Sequence, residues 1–353
     1  MMKIKLLYDR KTGEAFYQNE SCIIQNRAAH SFYQKGAEQY MGHGAKMIMY
    51  HAAKNISKKR FYETVRNFRK PDEDAMKIIL NHLNLCGYGL FEIKGFGEET
   101  LVKLKNSHNA LGYRSDRSVC YVTAGYLAGI MELITGKESV CIEEKCIAKG
   151  DKACTFRISK LPSGSDAGPV KEFWRKKHAP KGSEEFSVDY DDTKGEVFFG
   201  GVNSSINARA DLSEFQMEFQ RTIGPAYKTI IYEVVGKGPS AASLGQMRRF
   251  VIKVMRVFSK RKIAEKLAEE FSKRGFGEAE LLEFDEKRQG GRILIRNSHN
   301  ALGYLSKEPV CHATAGVLAN AGELMFGKKM ICRETKCIAK GDPHCEFKIY
   351  PER

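Results

Sequence analysis

Short alternations of apolar and polar residues open each half of this chain. Ile4 to Tyr8 with Glu14 to Tyr17, and Phe186 to Tyr190 with Glu196 to Phe199, read as two strand hairpins. Lys11-Thr12-Gly13 and Asp191-Asp192-Thr193-Lys194-Gly195 supply their turns. Helical spacing of apolar residues follows over Gln39 to Ala53 and over Phe215 to Val235. Pro71-Asp72-Glu73 starts another helix, with acidic residues where the helix dipole favours them, and it should stop near Gly87. Its counterpart runs from about Gln246 to Lys273. Strands are expected at Leu90 to Ile93, Leu101 to Asn106, Leu281 to Phe284 and Arg292 to Asn297. Val119 to Leu133 is small and apolar on every side, as a buried helix is, and Gly136 ends it; Gly327 does so in the second half. Val140 to Cys146 and Ala153 to Ile158 complete the pattern as two strands.

The pattern repeats. Asn106-Ser107-His108-Asn109-Ala110-Leu111-Gly112-Tyr113 returns unchanged at Asn297 to Tyr304, and Cys146-Ile147-Ala148-Lys149-Gly150-Asp151 returns at Cys337 to Asp342. Both pairs are offset by 191 residues, and no gap is needed from Asn106 to Ile158. A period this long is a duplicated domain rather than a solenoid. Upstream the match is looser: Gly42-x3-Lys46-x3-Tyr50 aligns with Gly224-x3-Lys228-x3-Tyr232 at a different offset. The expected division is a first copy over 1–160, a linker over 161–183 rich in Pro and Gly and holding Trp174, and a second copy over 184–353.

Composition changes the picture in two ways. The N-terminal residues show neither a secretory signal nor a membrane span, which points to the cytoplasm, where the 10 cysteines stay reduced. Metal ligands and core thiols are then the expected uses of those cysteines. A net charge of +15 admits an anionic partner such as nucleic acid. Lys58-Lys59-Arg60 and Lys260-Arg261-Lys262, however, sit in helical patterns as solvated faces do.

Cys120, Glu143, Cys146 and Cys154 recur as Cys311, Glu334, Cys337 and Cys345. Three thiolates and a carboxylate make a tetrahedral cage for a divalent ion, most readily zinc. A strand hairpin brings the last three together and a docked helix supplies the first. Glu144 is matched by Thr335, so the adjacent Glu143 is the preferred ligand. Cys141 and Cys332 read as inward-facing strand thiols, with replacement of the glutamate as the alternative. Four protein ligands leave no open position, which is the mark of a structural metal. Lys145, Lys149, Lys336 and Lys340 are near enough in sequence to offset the cage's negative charge.

Cys120-x4-Gly125 followed by Glu143-x2-Cys146-x3-Gly150-x3-Cys154-x-Phe156 resembles the 4-vinyl reductase domain family. So does Cys311-x4-Gly316 with Glu334-x2-Cys337-x3-Gly341-x3-Cys345-x-Phe347. The resemblance implies an α+β domain in each copy, with helices packed on an antiparallel sheet and one structural zinc. It also implies a hydrophobic pocket for an aromatic or other apolar molecule, as in hydrocarbon-binding and sensory relatives, and pairing of the copies as an internal pseudo-dimer or a further homodimer. No Gly-x4-Gly-Lys-Ser/Thr loop and no dinucleotide fingerprint accompany it.

Candidate ligand contacts are His108, Tyr113 and Glu132, with His299, Tyr304 and Glu323 in the second copy. An imidazole flanked by Asn and Ser could bond a ligand hydroxyl, or it could be satisfied within a turn. A carboxylate on an apolar helix needs a partner, from substrate, backbone or lysine. The expected function is binding or sensing of a small apolar molecule. The alternatives are an enzyme or cofactor-delivery factor and a nucleic-acid-binding regulator.

Overall fold

The computed structural model describes residues 1–68, 72–161, 166–168, 170, 177–237 and 259–352. In chain order the elements are β1 Met2–Asp9, β2 Glu14–Tyr17, β3 Glu20–Asn26, α1 Ala29–Met41, α2 Gly44–Arg66, α3 Glu73–Leu85, β4 Leu90–Gly95, β5 Glu99–Lys105, α4 Tyr121–Thr135, β6 Ser139–Lys145 and β7 Cys154–Lys160. The second half continues with β8 Glu184–Asp191, β9 Glu196–Phe199, β10 Val202–Ala208 and α5 Arg209–Ile223. After it come α6 Tyr227–Ile230, which runs on as a π-helix over Ile231–Lys237, and then α7 Lys260–Lys273, β11 Glu278–Asp285, β12 Gly290–Arg296, α8 His312–Phe326, β13 Met330–Lys336 and β14 Cys345–Pro351. Trp174 and Gln246 to Phe258 lie outside the described residues.

Each copy carries a four-stranded antiparallel sheet in the order β4-β5-β7-β6 or β11-β12-β14-β13. Alternation decides which side is dry. Val102 and Leu104 on β5, with Cys154, Phe156 and Ile158 on β7, are buried. Ile293, Ile295, Met330, Cys332, Phe347 and Ile349 form the matching face in the second copy, in one cluster with Ala315, Leu318 and Ala319 of α8. Helix α4 is buried at every residue from Tyr121 to Ile134 except Leu133. It can therefore exist only inside a core. Its open side is covered by α2, which approaches very closely. A Cβ at Gly125 would fall 2.2 Å from the Tyr50 carbonyl oxygen, and one at Gly129 would fall 2.1 Å from Ser57 Oγ.

Three elements differ from the sequence pattern. Helical spacing over Gln39 to Ala53 is divided between α1 and α2, because Gly42 turns the chain at φ 57°. Strands β3 and β10 had no separate signal, since they follow β2 and β9 after only a tight turn. The helical pattern of Phe215 to Val235 is broken at Gly224-Pro225. Pro71 lies outside the described residues, but Asp72 caps α3 as the acidic start implies, its side chain accepting from the Asp74 amide.

Two compact units gather residues that are distant in sequence. One holds Met1–Ile4, Met41–Lys177 and Ser187–Ile206; the other holds Lys5–Tyr40, His178–Phe186 and Asn207–Arg353. Inside the first, the Ile206 amide donates to the Cys86 carbonyl at 2.9 Å, and Asn106 Nδ2 donates to the Lys194 carbonyl at 2.9 Å. Inside the second, the Ile24 amide donates to the Arg274 carbonyl at 2.9 Å. Arg209, almost fully buried, donates from Nη1 to Glu14 Oε1 at 2.7 Å, and also to the carbonyls of Gly275 and Asn297. The opening hairpin of each half is thus packed on the sheet domain of the other half.

A buried guanidinium stripped of its counter-ion is costly. Glu14→Gln should lower the unfolding free energy by about 3 kcal/mol in urea melts. A change within the scatter of surface substitutions would mean that the pair does not hold the hairpin.

Candidate metal centre

Cys120 is the N-cap of α4, placed at the helix start because the chain arrives there from β5 through the Asn106 to Tyr113 loop. Glu143 points from β6, Cys146 follows the end of that strand, and Cys154 begins β7. The ligand atoms of these four residues lie within 4.8 Å of one another, and so do those of Cys311, Glu334, Cys337 and Cys345. Cys120 Sγ and Cys154 Sγ are 3.6 Å apart; the equivalent pair, Cys311 and Cys345, is 3.5 Å apart. All six thiols are buried and none is in a disulfide.

One carboxylate oxygen of each glutamate is already engaged. Glu143 Oε2 accepts from the Cys120 amide at 2.8 Å, and Glu334 Oε2 accepts from the Cys311 amide at the same distance. This bond stands in for a side-chain cap that neither cysteine provides. The other oxygens, Glu143 Oε1 and Glu334 Oε1, are buried without a partner. A buried orphan acceptor beside three sulfurs is what a cation site offers. Each cluster could hold a metal ion through these four side chains. Burial pushes the free Glu143 and Glu334 carboxyls up to about 8. Hydrogen bonds from Cys120 and Cys154 pull the Cys146 thiol down, and Cys311 and Cys345 do the same for Cys337.

The unchanged octapeptide turns out to be the wall of this cage. Asn106 and Asn297 adopt φ 54° and 53°, a left-handed conformation that Asn tolerates, and this turns the chain off the sheet. Asn297 Nδ2 donates to the Thr12 carbonyl, repeating the Asn106 bond to a hairpin turn. Ser107 Oγ lies 3.4 Å from Cys120 Sγ, as Ser298 Oγ does from Cys311 Sγ. His108 Nδ1 is 3.1 Å from the Tyr88 carbonyl oxygen, and its ring stacks on Tyr88. His299 Nδ1 is 3.1 Å from the Phe276 carbonyl oxygen, and burial lowers its pKa to about 3. Asn109 Oδ1 accepts from Thr123 Oγ1, and Asn300 Oδ1 from Thr314 Oγ1. The serines and Asp151, whose Oδ2 accepts from the Cys146 amide at 2.8 Å, are supporting residues that the sequence reading passed over. Their identical spacing from the cysteines in both copies was the available signal.

The remaining candidates have definite places. Glu132 bonds Lys54 at 2.5 Å, Lys58 at 2.8 Å and the Ser139 amide at 3.1 Å. Burial alone would raise its pKa, but the two lysines and the amide hold it below the usual carboxylate range. Glu323 Oε1 accepts from the Met330 amide. Tyr113 and Tyr304 are buried. Glu144 pairs with Arg157 at 2.6 Å, outside the cage. Cys141 and Cys332 are buried, and their amides donate to the hydroxyls of Tyr50 and Tyr232. Of the lysines near the cages, Lys336 pairs with Glu346 and Lys340 approaches Asp342. No helix among the described residues is long and apolar enough to cross a membrane.

A duplicated α+β domain closed by Cys, Glu, Cys and Cys defines the class: the chain carries the 4-vinyl reductase domain twice, over residues 100–160 and 292–351. Among curated proteins it is similar to the uncharacterized protein MJ0855 of Methanocaldococcus jannaschii, 35% identical over 79 residues that span 20% of this chain and 35% of that protein. It is also similar to the uncharacterized protein MJ0745 of the same organism, 42% identical over 43 residues spanning 12% and 24%. The chain therefore covers about a third or less of the length of these relatives. Among solved structures it is similar to the phenol-responsive sensory domain of the transcription activator PoxR with phenol, at TM-score 0.40 and 18% identity, over 46% of this chain and 84% of that one. A vinyl-4-reductase family protein from Methanocaldococcus jannaschii has TM-score 0.21 and 21% identity, over 36% and 88%. Trafficking protein particle complex subunit 3 from Naegleria fowleri, covalently bound to palmitic acid, has TM-score 0.28 and 14% identity, over 40% and 96%.

The raised carboxyls set a pH signature. A group whose folded pKa lies above its unfolded value stabilises the fold fully below the unfolded value of 4.5 and loses that contribution as pH rises through about 8. Metal-free protein should therefore lose stability over this range. Metal-loaded protein should diverge from it upward, because the ion displaces the same protons. Thermal melts of both forms across pH check this, and parallel curves would contradict it. Ser107→Ala should weaken metal binding at the first centre alone, by roughly tenfold in chelator competition.

Proposed function

We propose that this chain is a metal-stapled binding or sensory protein for a small, largely apolar molecule, with structural zinc in each copy. The carrying observation is that both cages are closed and buried. Each offers four ligand atoms within 4.8 Å and is backed by hydrogen bonds to sulfur and carboxylate. Zinc–sulfur bonds of about 2.3 Å at tetrahedral angles put two sulfurs roughly 3.8 Å apart. Separations of 3.6 and 3.5 Å agree with that spacing. An ion enclosed by four protein ligands has no position left for substrate, so it supports the fold and leaves function to the apolar domain around it. Ten free, buried thiols suit a reducing compartment such as the cytoplasm.

Elemental analysis with native mass spectrometry should find two zinc ions per chain, both lost only with partial unfolding. Phenol, the compound to which the PoxR domain responds, is the small-molecule probe, and calorimetry should show it to bind the zinc-loaded chain. A chain that carries no metal refutes the cage. A zinc-loaded chain that ignores phenol and similar small aromatics refutes the binding reading.

A further inference from the structure

The two copies are alike at the cage but not at the helix seam beside it. In the first copy Gly129 sits where α4 meets α2, and a Cβ there would fall 2.3 Å from the Lys54 carbonyl oxygen. Lys54 and Lys58 of α2 then bond Glu132 of α4 across the same seam. The second copy has Asn320 at the position of Gly129, under the gap-free offset of 191 residues. An asparagine cannot enter a contact that has no room for a single Cβ. The partner segment differs accordingly: Ile231–Lys237 winds as a π-helix, whereas α2 is α-helical throughout. Such wide turns accommodate an inserted group and are frequent at functional sites. Register is secure up to this point, because Tyr50 and Tyr232 make the same bond to the amides of Cys141 and Cys332.

A separate observation lies at the N-terminal end of that second seam. The Tyr304 hydroxyl and the Gln216 side-chain oxygen are buried and have no hydrogen-bond partner. Gln216 is held in place by its own Nε2, which donates to the Val310 carbonyl at 2.7 Å, just before α8. Its residue is 1% exposed, and Gln216 and Tyr227 are the polar neighbours of the Tyr304 hydroxyl. Tyr113, the counterpart of Tyr304 in the first copy, is already engaged. Burying a donor and an acceptor without partners is unfavourable unless something supplies them.

We propose that the second copy is the ligand-admitting one and the first a closed scaffold. A small apolar molecule bearing one hydroxyl lodges between α8 and the segment 227–237, its hydroxyl donating to Gln216 Oε1 and accepting from the Tyr304 hydroxyl. This assignment rests on the binding reading above and adds where the ligand sits and which group it must carry.

Hydrogen exchange on the full zinc-loaded chain, with and without phenol, tests it. Without ligand, the amides of 227–237 and 312–326 should exchange at least about tenfold faster than those of 44–66 and 121–135, since a closed seam opens less often. Phenol should slow exchange in the first pair of segments only. Equal protection of both seams overturns the proposal, as does a phenol footprint on the first copy; a footprint on both copies overturns it while leaving the binding reading standing. Unequal seams with no footprint anywhere remove the binding reading and this assignment with it. Two variants separate ligand contact from folding. Tyr304→Phe should leave zinc content unchanged and the ligand-free chain at least as stable, while weakening phenol binding on the order of tenfold. A less stable Tyr304→Phe chain means that the hydroxyl is already satisfied within the protein, and the proposal fails. Asn320→Gly should narrow the seam and reduce phenol binding with both zinc ions retained; unchanged binding also counts against the proposal.

Discussion

Everything in each copy hangs on the junction where a wholly apolar helix meets a strand hairpin through three sulfurs and a carboxylate. Helix α4 has almost no polar face and no side-chain cap of its own, so nothing local fixes where it begins. The Glu143 carboxylate takes the Cys120 amide and thereby orients the first turn, while the Cys120 thiol turns toward Cys154. Without an ion the arrangement is strained electrostatically. A buried carboxyl is pushed toward neutrality, one thiolate is favoured by its neighbours, and an acceptor oxygen is left over. A divalent cation resolves all three at once, and this is why the cage reads as a metal site rather than as a cluster of small core residues.

The rest of the domain buttresses that junction from two sides. From one side the octapeptide places a hydroxyl by Cys120 and Cys311, and it locks itself with imidazole and amide bonds to the backbone and to the helix. From the other side, the asparagine that leads this loop holds the turn of a hairpin supplied by the opposite half of the chain. The buried pair of Arg209 and Glu14 performs a related task, since the same guanidinium also reaches the carbonyls of Gly275 and Asn297. Cage, loop and exchanged hairpin are therefore consecutive parts of one hydrogen-bonded path within each unit.

Much of this was legible in the amino acids because a duplicated chain carries its own control. Positions identical under one offset must answer one geometric demand, which separated Glu143 from Glu144 and Cys146 from Cys141 before any coordinates. The helix ends at Gly136 and Gly327 were equally plain, since both take the left-handed conformation that glycine allows. Long-range facts were not legible. Periodicity says that β2 is a strand but not which domain receives it. The exchange of hairpins depends on contacts between residues roughly two hundred positions apart in sequence, as between Glu14 and Arg209, for which no local pattern exists. Residues His108 and His299 show the same limit. Their neighbours suggested a reactive imidazole or a satisfied turn, and only the positions of the Tyr88 and Phe276 carbonyls show the bonds they make.

Duplication also explains how the copies can share a cage and differ beside it. The cage tolerates no change without losing an ion that holds helix to sheet, so both copies keep it. The seam between the two long helices is under a weaker demand: it must be filled, and a filled seam can be made in more than one way. In the first copy backbone lies on backbone at Gly125 and Gly129, an arrangement that excludes any guest because a single methyl would collide. In the second copy an amide side chain replaces the glycine and the facing helix unwinds to a wider turn. That exchange gives up close packing, which a purely structural domain has no reason to do. It is reasonable only where the space is needed for something else, and the orphaned hydroxyl and carbonyl oxygen of Tyr304 and Gln216 state the chemistry of what would fill it.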